Sequence, residues 1–74
     1  MMKRYSVTLH GHRTSVSLEP EFWALLKQVA EQNRLSLTAL IQIIDDERLN
    51  ADLPSGLSSA LRVYLLQHLL NQHV

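Results

Sequence analysis

The sequence predicts a mostly α-helical protein that opens with a short β ribbon, in the order strands first and then three helices. Through residue 18, polar and apolar side chains alternate with the period of two that is typical of a half-buried strand. From Pro20 onward, apolar residues recur every three or four positions, as they do on helices that bury one face. A length of 74 residues is that of one domain, 1–74.

Two alternating stretches surround a glycine near the start of the chain. Apolar residues fall at odd positions in residues 5–9 and at even positions in residues 13–18. Gly11 lies between them and can adopt the positive φ of a tight turn. If residues 10–11 or 11–12 form a two-residue loop, odd positions of the first strand oppose even positions of the second. The pattern is therefore consistent with a hairpin, without requiring one, and the first strand is predicted over residues 4–10. In such a hairpin one face is apolar, and the other carries Arg4, Ser6, Thr8, Arg13, Ser15 and Ser17.

Three helical segments follow the alternating stretches. Pro20 suits a first helical position, and Asn33 and Arg34 are expected to end this helix because asparagine tolerates a left-handed C-cap. Ser36 is a good N-cap for the second helix. Residues 50–56 are predicted to form a connector with a proline-containing turn. A third helix is predicted over residues 57–71. It is apolar around most of its circumference, which favours burial between subunits.

The length and composition of the chain limit the ways in which it can be stabilised. A chain this short buries only about 60% of its unfolded surface, so it needs support beyond its own core. The absence of cysteine excludes disulfides and the usual zinc frameworks, while 46% hydrophobic residues supply material for self-association. We therefore expect a homodimer. No apolar run resembles a signal peptide or a membrane span, so we expect a cytoplasmic protein without a membrane partner.

Charge is distributed unevenly although it sums to zero. Residues 1–18 carry Lys3, Arg4 and Arg13 and no acid, and all seven acids lie at or beyond Glu19. A two-fold dimer that joins two such segments would gather six cations on one face. A net charge of zero argues mildly against a nucleic-acid-binding protein. For the basic segment, an ordinary solvated surface is the alternative interpretation.

Catalytic and metal-binding patterns are not evident. The sequence has no cysteine nucleophile, no glycine-rich phosphate loop and no serine in an elbow motif, so we expect neither an enzyme nor a cofactor. His10 and His12 are two residues apart and could share a metal on one strand face. No third ligand is evident nearby, so a turn role is the favoured interpretation and no metal is predicted.

The stretch RTSVSLEPEFWALLKQVAEQNRLSLTALIQII resembles the ribbon–helix–helix (Arc/MetJ-like) domain family, over a core of residues 13–48. VTLHGHRTSVSLEPEFW and LSSALR are similar to a bacterial subgroup with an added N-terminal strand and a C-terminal helix. The resemblance implies an intertwined homodimer in which the strand pairs with its copy, and a ribbon that enters the DNA major groove. Arg34 stands where the family usually has glycine.

Site residues follow from this resemblance. The implied base-reading positions are Arg13, Ser15 and Ser17. The second-helix N-terminus is expected to bind DNA phosphate near Ser36 and Thr38, because free N–H groups and the helix dipole favour an anion. Lys3 and Arg4 are further phosphate candidates, and the implied dimer core comprises Val16, Leu18, Phe22, Trp23, Leu40, Ile41 and Ile44.

These observations predict a sequence-specific DNA-binding protein, a transcriptional (auto)regulator that acts as a homodimer. The alternative is a dimeric antitoxin-like adaptor whose third helix binds a protein partner. The added first strand complicates DNA binding, because four adjacent strands would span roughly 14 Å between outer axes and a groove is about 12 Å wide. This strand could block insertion, detach and follow the DNA backbone, or mark a subgroup that no longer binds DNA.

Overall fold

The computed structural model describes residues 1–51 and 56–72. Two antiparallel strands come first, and three helices follow: β1 (Lys3–Leu9), β2 (His12–Leu18), α1 (Pro20–Gln32), α2 (Leu37–Asn50) and α3 (Leu57–Gln72). This order confirms the predicted class, mostly helical with a short β ribbon. Residues 52–55 of the predicted connector lie outside the described residues.

A two-residue turn sets the register of the hairpin. His10 and Gly11 have φ values of 51° and 79°, and Leu9 is paired with His12. Two successive positive φ angles are characteristic of the type I′ turn, whose twist matches that of the flanking strands. The loop is therefore His10–Gly11. β1 ends at Leu9 rather than at the predicted residue 10, because His10 already has the left-handed turn conformation.

The inner face of the hairpin packs on the helices. Val7, Leu9, Val16 and Leu18 are buried, as the parity of the pattern predicts. They join one hydrophobic cluster with residues from all three helices: Leu26, Val29, Ala30, Leu40, Ile41, Ile44, Leu61 and Leu65. The three helices thus cover a single face of the hairpin and leave its other face outside the core.

β1 is attached to the helices at both of its ends. Near its start, the Tyr5 ring stacks on Trp23 of α1, with 4.0 Å between ring centroids and 5° between ring planes. At the turn, the His10 backbone N–H donates to Gln42 Oε1 at 3.1 Å, and His10 Nε2 lies 2.8 Å from Asp46 Oδ1. The added strand is therefore paired in the sheet and held by α1 and α2, and the expectation of a detached strand does not describe this structure.

α1 ends at the predicted pair Asn33 and Arg34, but the left-handed residue is Arg34 rather than Asn33. Asn33 has a φ of −96°, and Arg34, with a φ of 57°, is the left-handed residue. Asn33 Nδ2 donates to the Val29 carbonyl at 2.7 Å, so its side chain caps the helix from a right-handed backbone. The next residue then reverses the chain, with the Leu35 N–H donating to the Ala30 carbonyl at 2.9 Å, as in a Schellman motif.

α2 and α3 agree with their predicted positions. The Ser36 hydroxyl accepts a hydrogen bond from the Ala39 N–H at 3.1 Å, which confirms the predicted N-cap of α2. α3 extends to Gln72, one residue past the predicted boundary, and fully buries Leu61 and Leu65.

Arg34→Gly is expected to stabilise the protein by about 1 kcal/mol, since glycine adopts a left-handed conformation without the Cβ clash that arginine suffers. Urea denaturation monitored by circular dichroism measures this change. Asn33→Gly is the matched control: position 33 is right-handed, so glycine there should lower stability and remove the Val29 cap. Equal effects of the two substitutions would contradict the assignment of strain to Arg34.

Candidate nucleic-acid interface

One face of the hairpin is entirely polar and is not covered by the helices. We call it the outer face and define it by the six side chains that the register places there: Arg4, Ser6, Thr8, Arg13, Ser15 and Ser17. Five of them are exposed and Ser17 is partly buried. The six include two arginines and no carboxylate, so the face is positively charged at neutral pH.

The two strands contribute to the outer face together. Arg4 of β1 donates from Nε to the Ser15 hydroxyl of β2 at 3.0 Å. This contact places a cation from the first strand against one of the predicted base-reading positions. Lys3 is also exposed, but its odd position gives it the parity of the inner face. Lys3 and Arg4, predicted as a pair, therefore point to opposite sides of the sheet.

Arg13, Ser15 and Ser17 lie at alternate positions of β2 and share the outer face, as predicted. An arginine can donate two parallel hydrogen bonds to guanine, and serine can donate or accept at several bases. Strand geometry spaces such side chains by roughly 6.8 Å. The arrangement can therefore present donors and acceptors in a row to the edges of stacked bases.

The backbone of Ser17 is held by α3. The Ser17 N–H donates to the Ser58 hydroxyl at 3.0 Å, and Arg62 Nη2 donates to the Ser17 carbonyl at 3.2 Å. Both groups point away from β1, so α3 closes this part of the free edge of β2. Sequence analysis did not predict these roles, although Ser58 and Arg62 both lie in the stretch LSSALR that carries the resemblance.

Arg62 also connects α3 to the start of α1. Its Nε lies 3.2 Å from Glu19 Oε1, and its guanidinium carbon lies 6.0 Å from the centre of the Phe22 ring. The pKa of Glu19 is lowered from its ordinary value, chiefly by a hydrogen bond from its own backbone N–H and further by Arg62; partial desolvation opposes this shift. These contacts fix α3 where β2 passes into α1.

The predicted phosphate residues of α2 lie apart from the hairpin contacts. Ser36 and Thr38 are exposed at the N-terminus of α2. α2 holds the hairpin turn through Gln42 and Asp46 instead, and Gln42 is roughly 9 Å along the helix axis from Ser36. The helix N-terminus retains the orientation that favours an anion.

The residues predicted as a dimer core build the core of one chain. Val16, Leu18, Leu40, Ile41 and Ile44 are buried within it, whereas Phe22 and Trp23 are partly buried and pack against it. Their burial therefore requires no second copy.

α3 carries several large apolar side chains that are exposed outside the core. Leu66 and Leu70 are 56% and 58% exposed, and Val63 and Leu69 are exposed as well. Val63, Leu66 and Leu70 lie at i, i+3 and i+7, so they form one stripe along the helix. We call these three residues the α3 stripe.

The polar residues near the turn have structural partners. His10 pairs with Asp46, and Asp45 is buried beside Arg48, with 2.6 Å between Asp45 Oδ1 and Arg48 Nη2. Within residues 1–51 and 56–72, no cluster of three or more histidine or acidic side chains could hold a metal ion. Over the same residues, no helix has the length and the hydropathy that a membrane crossing requires.

Comparison with known proteins gives two matches. A family model described as "Ribbon-helix-helix domain" matches residues 2–69. The structure is similar to that of an uncharacterized protein from Bordetella pertussis Tohama I, with a TM-score of 0.83 and 31% sequence identity. That match covers 99% of this chain and 59% of the other, so this chain spans little more than half the length of its structural relative. No curated protein matches the sequence.

Glu19→Gln should reduce the loss of stability in acid. Because the folded pKa of Glu19 is lowered, its carboxylate contributes stability above its ordinary value of 4.5, and this contribution is lost as the pH falls through the lower folded value. Thermal melts of both proteins from pH 7 to pH 3 measure the effect. We expect the wild type to be the more stable at pH 7 and the two to converge in acid; a constant difference would contradict the lowered pKa.

Proposed function

Because the chain belongs to the ribbon–helix–helix domain family, we propose that it is a sequence-specific DNA-binding protein, a transcriptional regulator that acts as a homodimer in the cytoplasm. Members of this family generally bind DNA in transcriptional regulators or antitoxins, and the domain is not typically catalytic. The proposed ligand is double-stranded DNA, and no cofactor is required.

The outer face of the hairpin carries this proposal. It is a polar, cationic surface on a two-stranded ribbon, and the helices pack only on the opposite face. A major groove about 12 Å wide and 8.5 Å deep admits a two-stranded ribbon. Arg13, Ser15 and Ser17 would then reach base edges, with arginine supplying the strongest discrimination.

Phosphate contacts would supply most of the affinity. Arg4 on the outer face and the N-terminus of α2 at Ser36 and Thr38 are the proposed phosphate-binding groups. Lys3 is also exposed, but it has the parity of the opposite face and would contact only a flanking phosphate. Each phosphate neutralised by a cation releases counterions, so binding should weaken steeply as salt rises. The zero net charge does not oppose this, because the acids lie at or beyond Glu19 and the outer face holds none.

The homodimer is supported by the α3 stripe. Val63, Leu66 and Leu70 form a contiguous row of exposed apolar side chains, and contiguous apolar patches commonly mark association sites. Residues 63–72 include no aspartate, glutamate, lysine or arginine, which suits a stripe that packs against its own copy.

The same stripe favours the second candidate function, an antitoxin-like adaptor that does not itself bind DNA. In that case a protein partner, rather than a second copy, would cover Val63, Leu66 and Leu70. DNA binding by the purified protein discriminates the two functions.

Arg13→Ala should remove sequence preference, because a bidentate arginine contact with guanine contributes about 1–3 kcal/mol of discrimination. Fluorescence anisotropy measures this with a duplex from upstream of the protein's own gene and a scrambled duplex, at low and physiological salt. Lys27→Ala is the matched control, since it removes an exposed cation from α1.

The expected result is tight, salt-sensitive binding to the native duplex by the wild type and by Lys27→Ala. Arg13→Ala should bind both duplexes equally and melt at the wild-type temperature. Absence of wild-type binding at low salt would contradict the proposed function and leave the adaptor as the favoured one.

Leu66→Lys combined with Leu70→Lys should convert a dimer into a folded monomer. Both side chains are more than half exposed in one chain, so the charges would disrupt association and spare the fold. Sedimentation at micromolar concentration measures the mass, and Gln28→Lys combined with Gln32→Lys adds equal charge to exposed sites on α1 as the control. An unchanged mass in the first variant would exclude α3 from the interface.

A further inference from the structure

We propose that His10, together with Gln42 and Asp46 of α2, is a positioning residue for DNA recognition: it holds the hairpin turn against α2 and thereby places Arg13 for its base contact. This role rests on the proposed function, because it acts on a DNA contact. The three residues are not among the proposed DNA-contacting groups, so they contribute through position rather than through contact with the duplex.

The proposed DNA-binding groups belong to two elements that must meet the same duplex. Arg13 lies on β2, and the proposed phosphate-binding group is the N-terminus of α2, which Ser36 caps. Phosphate contacts fix the register of a protein on DNA, and base contacts then read the sequence. The parts of a binding site must be held within roughly 0.5 Å of the productive geometry. Specific binding therefore requires a fixed spacing between the hairpin and α2.

His10 makes two contacts with α2. Its backbone N–H donates to Gln42 Oε1 at 3.1 Å, and its Nε2 lies 2.8 Å from Asp46 Oδ1. Because an ionised carboxylate only accepts hydrogen bonds, the imidazole donates from Nε2. Gln42 and Asp46 are one helical turn apart on the same face of α2, about 6 Å along its axis. Two attachment points for a single turn residue fix its orientation as well as its distance from the helix.

The turn alone does not account for histidine at position 10. His10 and Gly11 have φ values of 51° and 79°, as a type I′ turn requires. Asparagine is the residue that such a turn favours before glycine. An asparagine side chain is shorter than that of histidine and would not extend to Asp46. The imidazole therefore serves the contact with α2 rather than the formation of the turn.

The exposure of the contact argues against a mainly stabilising role. The His10 and Asp46 side chains are 51% and 47% exposed. Exposed ion pairs contribute little to stability, because solvent screens the charges and two side chains lose conformational entropy. The contact is therefore better suited to orienting the turn than to stabilising the fold.

Side-chain packing does not fix the turn against α2. Leu9 is the last residue of β1, and its side chain is buried in the core. Beyond it, the described residues leave a crevice of about 290 Å³ between the turn, α2 and the start of α3, with His12, Asp45 and Arg48 in its walls. His10 lines the same crevice, so its contacts with α2 bridge the gap that packing leaves.

The position of Arg13 depends on this contact more than that of Ser17 does. The Ser17 backbone is held by Ser58 and Arg62 of α3, near the end of β2 that is remote from the turn. Arg13 is the second residue of β2 and follows directly after the turn end of the strand. A movement of the turn relative to α2 would therefore displace Arg13 most and Ser17 least. Loss of the His10 contact should reduce sequence preference and leave the hairpin paired.

His10→Asn separates positioning from turn formation. Because asparagine before glycine favours the type I′ turn, this variant should melt at or above the wild-type temperature. Its side chain loses Asp46, so its affinity for the native duplex should fall by roughly 5- to 20-fold, part of the 5- to 150-fold that a whole bidentate arginine contact represents. Binding to the scrambled duplex should change little. Fluorescence anisotropy and thermal melts of the full chain measure these effects.

Asp46→Ala and Asp46→Asn are the matched pair. Both remove the same negative charge, which by itself would strengthen binding to a polyanion. Asparagine keeps an oxygen that accepts from His10 Nε2, so Asp46→Asn should bind the native duplex at least as tightly as the wild type. Asp46→Ala has no acceptor and should lose affinity by roughly 5- to 20-fold. His10→Asn combined with Asp46→Ala should lose no more than either alone, because both remove one contact.

Equal binding by Asp46→Ala and Asp46→Asn, or full preference for the native duplex in His10→Asn, would overturn the inference and leave the proposed function intact. Losses of affinity that follow losses of melting temperature in every variant would also overturn it, since they would assign His10 a role in stability alone. If the wild type binds no DNA at low salt, the proposed function fails and this inference fails with it.

Discussion

The two-residue turn at His10 and Gly11 is the constraint on which the remaining structure depends. It fixes each pair of opposed residues in the hairpin, so that odd positions of β1 share a face with even positions of β2. A shift of one residue would send the apolar set to solvent and the arginines into the core. The turn therefore determines the packing on the helices and the composition of the outer face together.

Contacts between residues distant in sequence then secure this hairpin, and each of the three helices supplies at least one. α1 supplies Trp23 beneath Tyr5, α2 supplies the acceptors around His10, and α3 supplies the donor and acceptor that hold Ser17. Each contact lies at an end of a strand, so the middle of the outer face stays free of the helices. A rigid support beneath an uncovered polar face is what a groove-binding ribbon requires, because a mobile ribbon would lose conformational entropy on binding.

Local patterns predict the elements well, since their causes are local. The strand parity, the Pro20 start of α1 and the Ser36 cap follow from properties of a few adjacent residues, and the structure confirms them. Propensity alone favours Asn33 for the left-handed position, whereas in the structure the Asn33 side chain donates to the Val29 carbonyl and Arg34 is the left-handed residue. Single-residue preference cannot decide between neighbours that compete for one turn.

The contacts through which α3 holds the candidate site cannot be predicted from local patterns. Ser58 and Arg62 act on Ser17 across more than forty residues of chain, and no periodicity links them. Their only sequence signal is the stretch LSSALR, whose physical role emerges once the helix is placed on the strand edge. The parity of the pattern predicts the outer face in both strands, including Arg4. The contact of Arg4 with Ser15 is not predicted, because it depends on a register that the pattern permits without requiring.

The elements that cover the two edges of β2 affect where a second copy of the chain can bind. A strand edge attracts pairing unless something covers it, and here β1 covers one edge of β2 while α3 covers the Ser17 end of the other. Because the core residues of β2, α1 and α2 are already buried within one chain, self-association gains least from the ribbon and most from apolar surface that is still exposed. The α3 stripe is part of that surface. If the α3 stripe is an association surface as proposed, it lies on a different element from the polar outer face of the hairpin.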